Sequence, residues 1–234
     1  MTEAEIDALG LLTDPLRRAL YRYVAGQDHE VSRAEAAEAV GAQRNLAAFH
    51  LDKLVAARLL DVRQQRISGR TGPGSGRPAK LYRRSTRQHT VQLPPRDYET
   101  AAHVLAEAVE RHGADAALYA AAREEGERRG AALAARAPDA DIATLRSYLG
   151  ECGYEPVPDE GAGSGQEAAG PPDRVRLRNC PFHTLAAAFP PLTCGMNLEL
   201  LRGLLAGAGC SGLSARLAPE SGRCCVEISK TNEN

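Results

Sequence analysis

The sequence predicts a mainly α chain with α+β character, in three parts: residues 1–92, 93–139 and 140–234. Three observations carry that expectation. Capped stretches of helical periodicity fill the first sixty or so positions. A Gly- and Arg-rich hairpin follows them, and a cysteine-bearing C-terminal stretch then alternates short helices with short strands to make a small α/β domain.

Thr13-Asp14-Pro15 reads as a capping residue with Pro in the first turn, after which Leu16, Leu20 and Val24 repeat at i+4 up to Gly26. Ser32 opens a second helix. Glu35, three residues on, completes a capping box, and Ala36, Ala37 and Val40 make a small apolar face before Gly41. A third helix, 43–57, lines up Ala47, Leu51 and Leu54 and leaves Gln43, Arg44, Asn45 and Lys53 off that stripe. Phe49 reads as core rather than as a contact to a thymine methyl, and His50 as helix packing. Residues 59–67 alternate as a strand does, 68–78 form a Gly, Pro and Ser loop, and 79–84 read as the returning strand. Two short helices about a Gly turn, followed by a hairpin, make a winged helix-turn-helix.

Beyond Pro94-Pro95, residues 98–111 and 115–136 are Ala-rich helices separated by His112-Gly113. Small side chains permit close helix approach, either between two copies of the chain or within its own core. A helix over 141–152, a strand over 154–157 and a disordered loop over 159–172 come next. A strand at 175–178, a helix at about 197–208 and strands at 212–217 and 223–229 complete the chain.

The formal net charge of -1 conceals a strong asymmetry, because nine Lys or Arg lie from Arg58 to Arg87 against the single acid Asp61. Such a segment suits a polyanion. With no Trp and three Phe, stacking on single strands is disfavoured, and double-stranded DNA is the expected partner. Gln43, Arg44 and Asn45 would face the bases, since Arg pairs with guanine and Gln or Asn with adenine, and Lys53 is a further DNA-binding residue of the same helix. Arg63, Arg66, Arg70, Arg77 and Lys80 would serve the hairpin's contacts to phosphates or the minor groove, with Arg77-Pro78 at its tip. An acidic N-terminus and short apolar runs point to a cytoplasmic protein without a membrane span. Catalytic motifs are missing: there is no Ser-His-Asp set, phosphate loop or dinucleotide fingerprint, so an enzyme is not expected.

Five of the six cysteines follow residue 179. Cys180, Cys194, Cys210 and Cys224 are separated by 13, 15 and 13 residues, without any CxxC pair. That is neither zinc-finger nor ferredoxin spacing. The four can still converge if each sits at the end of an element: Cys180 after a strand, Cys194 before a helix, Cys210 at its end, and Cys224 at the start of the last strand. Alternation along that strand turns Cys224 inward with Val226 and Ile228 and makes it preferable to Cys225. Cys152 reads as core. His183, beside Cys180, reads as a helix-packing or surface residue in preference to a ligand.

Residues NLAAFHLDKLVAARLLDV and SGRPAKLYR resemble the recognition helix and wing of ArsR-type winged-helix regulators, over about residues 10 to 90. The resemblance implies a homodimer on an inverted-repeat DNA operator. The segment NCPFHTLAAAFPPLTCGMNLELLRGLL, with the later GRCCVEI, resembles the C-terminal domain of SufR-type repressors, which sense iron-sulfur clusters. That implies a cluster, 4Fe-4S or 2Fe-2S, on Cys180, Cys194, Cys210 and Cys224, whose occupancy sets DNA affinity. Similar domains occur in zinc-binding and small-molecule-binding proteins, so a zinc-dependent or small-ligand-responsive regulator is the alternative.

Overall fold

The computed structural model describes residues 3–65, 79–138, 141–158, 174–220 and 222–231. The chain combines helices with two antiparallel sheets and divides into two units, Met1–Arg96 and Asp97–Asn234.

In the N-terminal unit, helix α1 (Glu3–Gly10) and a 3-10 turn (Leu11–Thr13) precede α2 (Pro15–Ala25). Asp14 caps α2 by accepting the Arg17 N–H at 2.8 Å, with Pro15 in the first turn, where a missing N–H costs nothing. A short strand, β1 (Val31–Ser32), leads into α3 (Arg33–Ala39). The capping box is present in full: the Glu35 N–H donates to Ser32 Oγ and the Ser32 N–H to Glu35 Oε2, each at 3.2 Å. Gly41 then takes φ +65°, a left-handed conformation that suits glycine, and turns the chain into α4 (Arg44–Ala56). Strands β2 (Leu60–Gln65) and β3 (Ala79–Arg84) pair antiparallel from Leu60 with Arg84 to Gln65 with Ala79. β1 adds to the far side of β3 and gives the sheet order β1-β3-β2. Leu20, Val24, Ala36, Ala47, Leu51, Leu54, Leu60 and Tyr82 fill the core between helices and sheet.

The second unit begins with α5 (Tyr98–Arg111) and α6 (Asp115–Arg136), followed by α7 (Ile142–Glu151), β4 (Pro156–Pro158) and β5 (Arg174–Leu177). After these come α8 (His183–Ala188), α9 (Pro190–Gly207), β6 (Leu213–Leu217) and β7 (Val226–Lys230). The sheet runs β4-β5-β7-β6, antiparallel throughout. Its apolar side, with Val175, Leu177, Ala215, Val226 and Ile228, packs in one core with Leu145 and Leu149 of α7 and Leu198, Leu201, Leu204 and Leu205 of α9.

α6 lies against α9 at backbone distance. A Cβ on Gly126 would stand 2.1 Å from the Leu200 carbonyl oxygen, and one on Gly130 2.3 Å from that of Leu204. From the other side, a Cβ on Gly203 would meet the Arg123 oxygen at 2.1 Å and one on Gly207 the Glu127 oxygen at 2.2 Å. The pairs are spaced i, i+4 on each helix, so they share a face. Arg123 and Arg202 close over this contact, donating to the two oxygens of Glu199 at 2.8 and 2.7 Å.

Two expectations change here. The segment expected over 93–139 is not a separate part: from Asp97 on it belongs to one unit with 140–234, in which the glycine face of α6 is spent on α9. α9 also starts seven residues earlier than the periodicity indicates. Pro190 and Pro191 occupy its first turn rather than ending a segment, as proline can where no intrahelical N–H is needed. The loops expected over 159–172 and 68–78 lie outside the described residues.

Replacing Gly126 or Gly203 by Ala should destabilise the protein by about 1 to 3 kcal/mol, since the facing atom is backbone and has no rotamer to yield. Thermal unfolding checks this, with Gly212→Ala, which meets nothing within 4 Å, as the matched control. Equal melting temperatures for Gly203→Ala and the control would refute the backbone contact.

Candidate functional site

α4 turns Ala47, His50, Leu51 and Leu54 into the core. Gln43, Arg44 and Asn45 at its start are exposed, as is Lys53. Gln43 occupies the N-cap position without using its side chain for capping, so the amide has no local task. His50 is buried and accepts from Arg17 Nε of α2 at 3.3 Å, in keeping with a packing role.

Phe49 is not core. It sits opposite Leu51 on the helix and is 54% exposed, with Lys53 Nζ 5.6 Å from the ring centroid. The sequence reading erred because an aromatic beside a buried His was assigned by hydrophobicity, whereas the spacing of Ala47, Leu51 and Leu54 already put position 49 on the far side.

Arg63 on β2 donates to Glu30 Oε2 at 2.6 Å and to Gln65 Oε1 at 2.9 Å. Lys80 on β3 donates to Asp52 Oδ1 at 2.8 Å, and the Tyr82 hydroxyl donates to the same oxygen at 3.2 Å. Burial pushes the Tyr82 phenol up, and the Asp52 carboxylate adds to the shift. Asp52 thus ties the exposed side of α4 to the central strand. Both cations are held by acids of their own unit, where sequence alone left them free. Arg66, Arg70 and Arg77 lie outside the described residues.

In the second unit, the cysteines divide. Cys224, just before β7, is buried, and its N–H donates to the Leu177 carbonyl at 2.9 Å. This pairing carries it to the end of β5, where Cys180 follows, and the two thiols are hydrogen-bonded to each other. Cys225 hydrogen-bonds to Cys224 as well. Asn197, buried on α9, donates Nδ2 to Cys224 Sγ at 3.2 Å and accepts the Tyr154 hydroxyl at 2.6 Å. The hydrogen bond with Cys180 draws the Cys224 pKa down. The bond with Cys225 and burial outweigh it and leave the pKa pushed up to about 11. The Cys180 thiol is raised too, by its hydrogen bond to Cys224 and by burial. Both thiols are therefore protonated at neutral pH.

Cys194 and Cys210 are elsewhere. Cys194 is inside the first turns of α9 rather than before it, and Cys210 follows its far end. The thirteen helical steps from Cys194 to Gly207 rise about 20 Å along the axis. Two thiolates on one zinc, at about 2.3 Å each, can be at most about 4.6 Å apart, and a single cluster is only a few ångströms across. The set Cys180, Cys194, Cys210 and Cys224 consequently does not fit one metal or cluster in this fold. The assumption that a cysteine at each element end implies convergence fails because the helix between two of those ends is long. Among the described residues, no three His, Cys, Asp or Glu side chains are placed to hold a metal ion. Cys152 is partly buried against the core, and His183 opens α8.

Cys210 instead lines a cavity of about 470 Å³ between the C-terminal half of α9 and β6, together with Arg123, Arg202, Leu205, Ser214 and Ala215. Arg202 Nε reaches the Ala215 carbonyl at 3.4 Å, so the guanidinium spans from helix to strand. Sequence carried no signal for this cavity. Among the described residues no helix is long and apolar enough to cross a membrane.

Because the Cys224 pKa is higher in the folded chain than the ordinary thiol value of 9.0, folding favours its protonated form. That contribution is complete below that ordinary value and is lost as pH rises through the folded value of about 11. Melting temperature should fall over this interval, and less steeply in Cys224→Ala. Parallel pH profiles for the two chains would show that Cys224 is not the group responsible. No family model, curated protein or solved structure matches the chain, so its functional reading rests on these residues and their geometry.

Proposed function

We propose that this chain is a DNA-binding transcriptional regulator, in which residues 1–96 act as a winged helix-turn-helix on a double-stranded operator. One observation carries this reading: α4 is buried along Ala47, Leu51 and Leu54 and offers Gln43, Arg44, Asn45 and Lys53 to solvent from one end of the helix to the other. A helix so divided can enter a major groove with its polar side against base edges. The hairpin of β2 and β3, with its Arg and Lys excess, supplies phosphate contacts. Arg63 and Lys80 would exchange their present acid partners for phosphates at modest cost, since exposed ion pairs are worth little.

The active form we propose is a homodimer. α6 spends its small-residue face within the chain, whereas α5 leaves Tyr98, Val104 and Leu105 exposed for a second copy. Regulation through a cluster on the four named cysteines is not carried forward, because α9 holds two of them at opposite ends. Regulation by a small ligand is favoured instead by the cavity at Cys210. Arg123 and Arg202 are balanced there by Glu199 and Glu127, beside an apolar wall suited to a small organic ligand.

Selection from a random duplex library with the full chain tests the primary reading. A defined sequence should emerge, and Arg44→Ala or Asn45→Ala should cost about 1 to 3 kcal/mol and relax the preference at one base pair. Failure to select any sequence would defeat it. A panel of small organic molecules, read by melting temperature, tests the ligand. A binder at 100 times its Kd should stabilise by about 2.7 kcal/mol, with the gain lost in Arg202→Gln. No shift with any member would remove the ligand from the proposal.

A further inference from the structure

Phe49 is the side chain of α4 that packing does not explain. Its ring is 54% exposed, and Leu46, three residues earlier, is 46% exposed, so the two make an apolar step on a face that is otherwise polar. The ring is nevertheless held. The His50 imidazole meets it edge to face, with centroids 5.5 Å apart and planes at 73°, and His50 is itself fixed by Arg17. Lys53 Nζ lies 5.6 Å from the ring centroid on the C-terminal side. Asn45 stands one turn before Phe49 and Lys53 one turn after it.

An apolar step framed by Arg44, Asn45 and Lys53 calls for a partner that is anionic at its rim yet carries small apolar projections. Duplex DNA supplies both in its major groove, where phosphates line the edges and thymine exposes a C5-methyl group on the floor. A purely apolar protein surface would leave those cations without a counterpart. We propose that Phe49, with Leu46 beside it, reads thymine C5-methyl groups and so sets the base preference next to the position contacted by Asn45. This rests on the DNA-binding reading above and adds to it a specific chemical group.

The experiment uses the full chain and the duplex obtained by selection. Each thymidine is replaced singly by deoxyuridine, which removes the methyl and leaves every hydrogen-bonding edge unchanged. At one or two positions affinity should fall about fourfold, the worth of one buried methyl-sized group. Phe49→Ala should show the same loss on the unmodified duplex and no further loss on deoxyuridine. Phe49→Leu should retain part of the discrimination, and circular dichroism of both variants guards against misfolding. Equal affinity for every deoxyuridine duplex, or undiminished discrimination in Phe49→Ala, overturns the proposal while DNA binding stands. Loss of self-association in Phe49→Ala without a change in discrimination also overturns it, by assigning the step to a second copy. A chain that selects no duplex fails at the earlier reading.

Discussion

Backbone contact between α6 and α9 is the constraint on which the C-terminal unit is built. Gly126, Gly130, Gly203 and Gly207 remove the side chains that would otherwise keep the two helix axes apart, and each faces a carbonyl oxygen or peptide nitrogen. Once α9 is seated there, its other side is fixed as well: Leu198, Leu201, Leu204 and Leu205 meet the sheet and α7. The contact gains dispersion over many atom pairs, and the ion pairs of Glu199 with Arg123 and Arg202 stand at its exposed edge. Those pairs are partly solvated and so add orientation more than stability.

The same helix carries a polar chain through the core. Asn197 accepts from Tyr154 and donates to Cys224, so a buried amide, phenol and thiol are joined in one path from the loop after α7 to the start of β7. Leaving any one of these groups without a partner would cost more than an ordinary hydrogen bond gains. The arrangement thus fixes which way the strand enters the sheet, and it keeps Cys224 and Cys180 protonated beneath the surface. It also separates two kinds of cysteine, a hydrogen-bonded group inside and the thiols of Cys194 and Cys210 towards either end of α9.

In the N-terminal unit the corresponding job falls to Tyr82 and Asp52. Tyr82 lies fully buried on the central strand, and its hydroxyl reaches Asp52 on α4, where Lys80 also converges. α4 is consequently held against the sheet through its own exposed edge as well as through Leu51 and Leu54. A helix held on both sides can present Asn45, Phe49 and Lys53 in a fixed register, which recognition of neighbouring bases requires.

Much of this was legible in order. Asp14, Ser32 with Glu35, and Gly41 act through bonds or dihedrals that span only a few residues, so α2, α3 and the turn into α4 follow from sequence alone. The ends of α5 and α6 follow in the same way, as does the pairing of β2 with β3. What sequence could not give were facts of long range. The start of α9 depended on whether Pro190 ended or began a helix, whereas the exposure of Phe49 was already implied by the stripe of Ala47, Leu51 and Leu54. The grouping of Cys180 with Cys224, and the distance between Cys194 and Cys210, depended on the β5–β7 pairing and on the length of α9. Local elements and their buried stripes are determined by interactions within one turn or hairpin, whereas convergence of distant thiols is decided by packing among elements far apart in the chain.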